Sequence, residues 1–79
     1  MKQYNLCIKK VLELAREMII LADEGQGAAE DDGCRLLYSV LQDCAYKIRK
    51  QAEEEREGHC RTGKWDEPGS ECEATNSYQ

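Results

Sequence analysis

Between Tyr4 and Ala22 the apolar residues recur at helical intervals: Tyr4, Ile8, Val11, Leu12, Ala15, Met18, Ile19 and Ala22. Steps of three and four residues place them on one face of an α-helix. A second row, Cys7, Leu14 and Leu21, runs beside the first. Together the rows cover roughly half the helix circumference, wider than the ~100° stripe that a surface helix needs. The pattern breaks in the stretch DEGQGAAEDDG. Gly25 is placed to be the left-handed residue that ends the helix, which predicts helix 1 over about 3–24.

A second periodic run follows: Cys34, Leu37, Leu41, Cys44, Ala45, Ile48 and Ala52, with Leu36 and Val40 to one side and Tyr38 to the other. Asp31 and Asp32 suit the N-terminus of this helix, where anions offset the exposed amide groups. Asp43 and Lys47 stand in the favoured acid-to-base i, i+4 order. The run EEERE places negative charge at the wrong end of the helix dipole, so the last turn is expected to fray. Helix 2 is predicted over about 30–57.

A short connection between two long helices makes an antiparallel hairpin. The fold class is therefore all-α, with a two-helix hairpin over 1–57 and a polar, flexible C-terminal tail over 58–79. Two helices can cover only one side of each other, and both apolar arcs are too wide for that. The expected remedy is homodimerisation into a four-helix bundle. Its self-association contacts would come from Val11, Leu14, Met18, Leu21, Leu36, Leu37, Val40, Leu41, Cys44 and Ile48. The competing remedy, a tail folded over the open side, has only Trp65 and Tyr78 as large apolar groups.

Composition narrows the class. Seventy-nine residues are enough for one small domain, and with no Phe and a single Trp the core must be aliphatic. The longest apolar run, MIILA at 18–22, is too short to cross a bilayer, and no secretory signal is visible, so a cytoplasmic protein is expected. In that compartment thiols stay reduced, and five cysteines fit a disulfide framework poorly. Cys7, Cys34 and Cys44 lie on or beside the apolar faces, where cysteine acts as a small hydrophobe, and slow reaction with thiol reagents is expected.

The stretch GHCRTGKW, residues 58–65, carries the most suggestive motif. It fits G-x-x-x-x-G-K, the core of a phosphate-binding loop. That loop needs a preceding strand, a helix starting at the Lys, and a Ser or Thr after it. Here a helix precedes, Trp65 follows Lys64, and DEPG comes next, so nucleotide hydrolysis is set aside. His59, Cys60 and Cys72 are metal-ligand types, and they form a weak candidate for zinc because adjacent ligands do not converge as C-x₂₋₄-C pairs do. The single His offers no fixed partner for a catalytic thiolate, and the paired carboxylates of an acid-base site have no pocket to serve. No enzyme activity and no cofactor are expected.

The net charge of −5 is uneven. Residues 1–24 and 34–57 are each neutral, and the excess lies in Glu30, Asp31, Asp32 and the tail. Lys47, Arg49 and Lys50 make a basic turn, but Glu53, Glu54 and Glu55 follow it, so a nucleic-acid surface is not expected. The reading that remains is a non-enzymatic helical interaction module, binding itself and an unidentified protein partner. Two alternatives are kept. One is a small acidic, phage-type inhibitor of a nucleic-acid-handling protein, using Glu30, Asp31 and Asp32 as partner contacts. The other is a zinc- or redox-responsive hairpin built on the His and Cys residues after position 57.

Overall fold

The computed structural model describes residues 1–67. Two helices, α1 (Gln3–Ala28) and α2 (Asp32–Arg61), pack against each other as a hairpin. Residues 29–31 connect them. Asp31 starts α2 in the expected way, its Oδ1 accepting the Cys34 N–H at 2.7 Å. Asp32 adds an acid to the first turn, where the helix dipole favours it.

Both helices overrun the ends expected from the sequence. α1 continues through Gly25 and Gly27 to Ala28, and Gly25 is a buried helical residue rather than a left-handed stop. The reason is tertiary. A Cβ at Gly25 would overlap Cε1, Cδ1 and Cζ of the Tyr38 ring. The glycine is a socket that lets the aromatic ring of α2 lie against the α1 backbone, and that contact holds the last turn in place. Gln26 adds a strap across the same end, donating from Nε2 to the Arg35 carbonyl and to Ser39 Oγ, both at 3.0 Å.

At the other end, α2 does not fray at EEERE. Each acid of the run has a neighbour one turn away: Arg49 faces Glu53 and Lys50 faces Glu54 from the N-terminal side, Arg61 faces Glu57 from the C-terminal side, and the His59 ring lies beside Glu55. Such exposed pairs contribute only about 0.3–0.5 kcal/mol each, yet together they offset the unfavourable dipole. The helix stops at Thr62, and Gly63, with φ of +79°, makes the left-handed residue beyond it. Its N–H bonds to the Cys60 carbonyl, and the Lys64 N–H to that of His59 at 2.8 Å.

The seam between the helices is built from small residues. Ala15, Ala22 and Gly25 of α1 and Ala45 and Ala52 of α2 are buried. The alanines repeat every seven residues on each helix, the interval that keeps a seam straight along an antiparallel pair. Small side chains at a helix contact let the two backbones approach closely. The larger residues Ile8, Leu12, Met18, Ile19 and Leu41 flank this seam half-buried.

Gly25→Ala is expected to destabilise the protein by about 1–3 kcal/mol through overpacking against Tyr38, although alanine is the better helix former by up to about 1 kcal/mol. Gly27→Ala, where nothing lies within 4 Å of the added methyl, is expected to be neutral or to stabilise by up to about 1 kcal/mol. Chemical denaturation of the two variants side by side checks the sign at each position.

Candidate interaction face

With alanine at the seam, most of the large aliphatic side chains are left outside it. Val11, Leu14, Leu21, Leu36, Leu37, Val40 and Ile48 are exposed, Leu36, Leu37 and Leu14 by 66%, 58% and 57%. Met18 and Leu41 are half-buried, and Cys44 is exposed. Burying a methyl contributes about 0.8 kcal/mol and burying a whole Leu, Ile or Val about 1.5–3 kcal/mol. The alanine seam therefore uses the smaller part of the apolar surface that this chain carries.

Apart from Leu36, which lies nearly opposite the seam on α2, these side chains fall on one side of the hairpin. Val11 of α1 and Ile48 of α2 line a common groove of about 340 Å³, with Cys7, Ile8, Gln51, Ala52 and Glu55. Leu14, Met18 and Leu21 follow Val11 at steps of three and four, and Cys44, Leu41 and Leu37 precede Ile48 in the same way, so both rows continue along that face. Gln51 and Glu55 meet the groove through their methylenes. On the outer side of α1, Glu13, Arg16 and Glu17 surround Ile20 in a recess, and on α2 the Arg49 guanidinium lies 5.3 Å from the centre of the exposed Tyr46 ring.

The three thiols expected to be buried are exposed. Cys7, Cys34 and Cys44 are free and lie outside the seam. The periodicity that places them beside the alanines is correct, but the close approach of the helices pushes the neighbouring positions outwards.

Beyond the groove, the chain following α2 returns to the start of α1. Asn5 is fully buried. Its Nδ2 donates to the Lys64 carbonyl at 2.6 Å and to Asp66 Oδ1 at 2.7 Å. With both amide hydrogens used, Oδ1 is the acceptor that faces His59 Nδ1 at 2.6 Å, so the imidazole proton is assigned to Nδ1. Nε2 then faces Glu55 at 3.5 Å, and Tyr4 meets the ring edge-on at 5.3 Å. Asp66 Oδ2 also accepts the Lys2 N–H at 2.8 Å. Lys2 has no side-chain cap and the first turn of α1 has no acid, so Asp66 supplies the anion that this helix start lacks. Lys9 pairs with Glu67 at 2.5 Å.

The Asn5 amide, helped by the Lys2 N–H and opposed by burial, holds the Asp66 carboxyl below its ordinary 3.8. The Lys9 ammonium does the same for Glu67 below 4.5, and Glu67 in turn raises Lys9 above 10.5.

His59 and Cys60 thus belong to the last turn of α2 rather than to a tail. Cys60 is disulfide-bonded, against the expectation of reduced thiols, and a sulfur so bonded is no thiolate ligand. Cys72 and Tyr78 lie outside the described residues. Among the described residues no three His, Cys, Asp or Glu side chains converge as a metal site would require. Of the three loop acids, Asp31 caps α2 and Asp32 meets Arg35 at 3.4 Å, while Glu30 is exposed in the connection. GHCRTGKW contains a helix end and a turn, and no strand occurs among the described residues. No described helix is long and apolar enough to cross a membrane.

The Asn5 network could not be read from periodicity. The one signal for it was a polar residue set between Tyr4 and Ile8 on an otherwise apolar face. Compared with known proteins, the chain matches no family model, no curated protein and no solved structure.

Two outcomes are expected at the latch. Asn5→Ala leaves the groups it satisfied without partners and is expected to cost about 1–3 kcal/mol, read by denaturation. Asp66 and Glu67 have depressed folded values, so their contribution is complete above the unfolded values of 3.8 and 4.5 and is lost as pH falls through the folded ones. Trp65 fluorescence is therefore expected to be flat from pH 7 to 5 and to change below pH 4.5, as residues 62–67 release.

Proposed function

We propose that the protein is a non-enzymatic interaction module that self-associates, two hairpins burying their apolar faces against each other as a four-helix bundle. One observation carries this reading: the seam holds alanine and glycine, while Val11, Leu14, Leu21, Leu37, Val40 and Ile48 stand exposed on one continuous face. Monomeric soluble proteins rarely leave so large a contiguous apolar patch open. A second copy presents the same face and is complementary to it in character, which makes an isologous dimer the simplest cover.

Several features support a role in binding rather than catalysis. The groove is walled mainly by aliphatic groups, and its one thiol, Cys7, has no imidazole beside it among the lining residues. The one imidazole is occupied in the latch with Asn5. In the bundle, the faces bearing Ile20 and Tyr46 point outwards and are the surface offered to a further protein partner, with the acidic connection at 30–32 beside them.

Light scattering on a sizing column is expected to give twice the 9.0 kDa chain mass. Leu14→Glu and Leu37→Glu each place a charge within the buried face and are expected to raise the dissociation constant by on the order of a hundredfold or more. Ile20→Glu on the outer side of α1 is expected to leave the mass unchanged. A full-length protein of single-chain mass at all concentrations would overturn the reading. Reaction of Cys44 with a maleimide is expected to be fast in dilute protein and to slow as concentration rises.

A further inference from the structure

The apolar face is not uniform along its length, and its two ends differ in both shape and charge. Near the chain termini it is hollow: Cys7, Val11, Ile48 and Ala52 border the groove of about 340 Å³. Towards the connection it is raised by Leu21, Leu37 and Val40, each more than half exposed. A face with a hollow at one end and ridges at the other fits a copy of itself only when the copy is turned end for end.

Charge points the same way. Residues 21–42, the connection and the helix ends that meet there, hold Asp23, Glu24, Glu30, Asp31 and Asp32 against Arg35 alone, five acids to one base and a net charge of −4. Residues 1–10 with 53–67, at the opposite end, hold six bases and six acids and are neutral. Helices in contact lie about 8–10 Å apart. That is within about one Debye length at physiological salt. Two connections side by side would therefore set −4 against −4 without effective screening.

Resting on the self-association proposed above, we infer the orientation of its second copy: the two hairpins pair antiparallel, their connections at opposite ends of the bundle, with Leu21 and Val40 of the partner subunit seated in the groove bordered by Cys7, Val11 and Ala52. The position of the groove fits this. The antiparallel register that pairs Gly25 with Tyr38 and Asn5 with His59 sets Cys7, Val11 and Ala52 on one side of the hairpin's middle and Leu21 and Val40 about as far on the other. Pairing with the connections together would lay groove on groove and ridge on ridge, leaving two facing hollows that close packing does not tolerate.

The test measures the distance between connections. The full chain carries Cys7→Ala, Cys34→Ala, Cys44→Ala and Glu30→Cys, with a nitroxide on the new thiol, and pulsed electron spin resonance reads the label-to-label distance. A 26-residue helix at about 1.5 Å per residue makes the hairpin about 40 Å long. The antiparallel pair is expected to give a distance of about 40 Å. A distance below about 20 Å from a species of twice the chain mass would overturn the orientation and leave self-association standing. Single-chain mass would overturn both. Should the triple alanine background lose its helix content, the native chain is read instead by hydroxyl-radical footprinting: protection of Cys7 and Leu21 to the same degree, both dependent on concentration, is expected, and a groove that stays reactive at Cys7 while Leu21 is protected would overturn the proposal.

Discussion

The close approach of two helices through alanine and glycine governs the rest of this molecule. A seam of Ala15, Ala22 and Gly25 against Ala45 and Ala52 brings the backbones together, and in doing so turns the leucines and valines at neighbouring positions away from the hairpin. A leucine seam of the same length would have held the helices further apart and left the outer faces polar. The choice of small residues thus creates both the close contact inside and the unused apolar surface outside.

Much of this architecture is legible in the sequence. The two helical periods, the hairpin and the breadth of the apolar arcs follow from the order of residues alone, because helical periodicity is a local property. The ends of the helices are not local. Gly25 reads as a stop when only its own propensity is considered, and it becomes an interior residue because Tyr38, thirteen positions later, needs the space. EEERE reads as a frayed end until the bases on either side are counted against it. The cysteines lie on the expected arc but at the surface, since an arc says which way a side chain points and not how closely the neighbouring helix approaches.

The polar latch is the least legible part. Asn5, His59 and Asp66 are separated by more than fifty residues of chain between the first and the others, and no spacing rule links them. What the latch accomplishes is nevertheless simple. It brings a carboxylate to the start of a helix that has none of its own, and it occupies the single histidine, which from sequence alone invites thoughts of metal or catalysis. The histidine is engaged in holding the start of α1 to the end of α2 and the turn beyond it.

The Gly25 and Tyr38 contact has a consequence for how such a sequence can vary. Any side chain at position 25 collides with the ring, and any smaller residue at position 38 leaves a hollow that only a larger residue at 25 can fill. The energies of the two substitutions are therefore non-additive. Each position constrains the other, and a change at one is tolerated only with a matching change at its partner, at a spot apart from the latch.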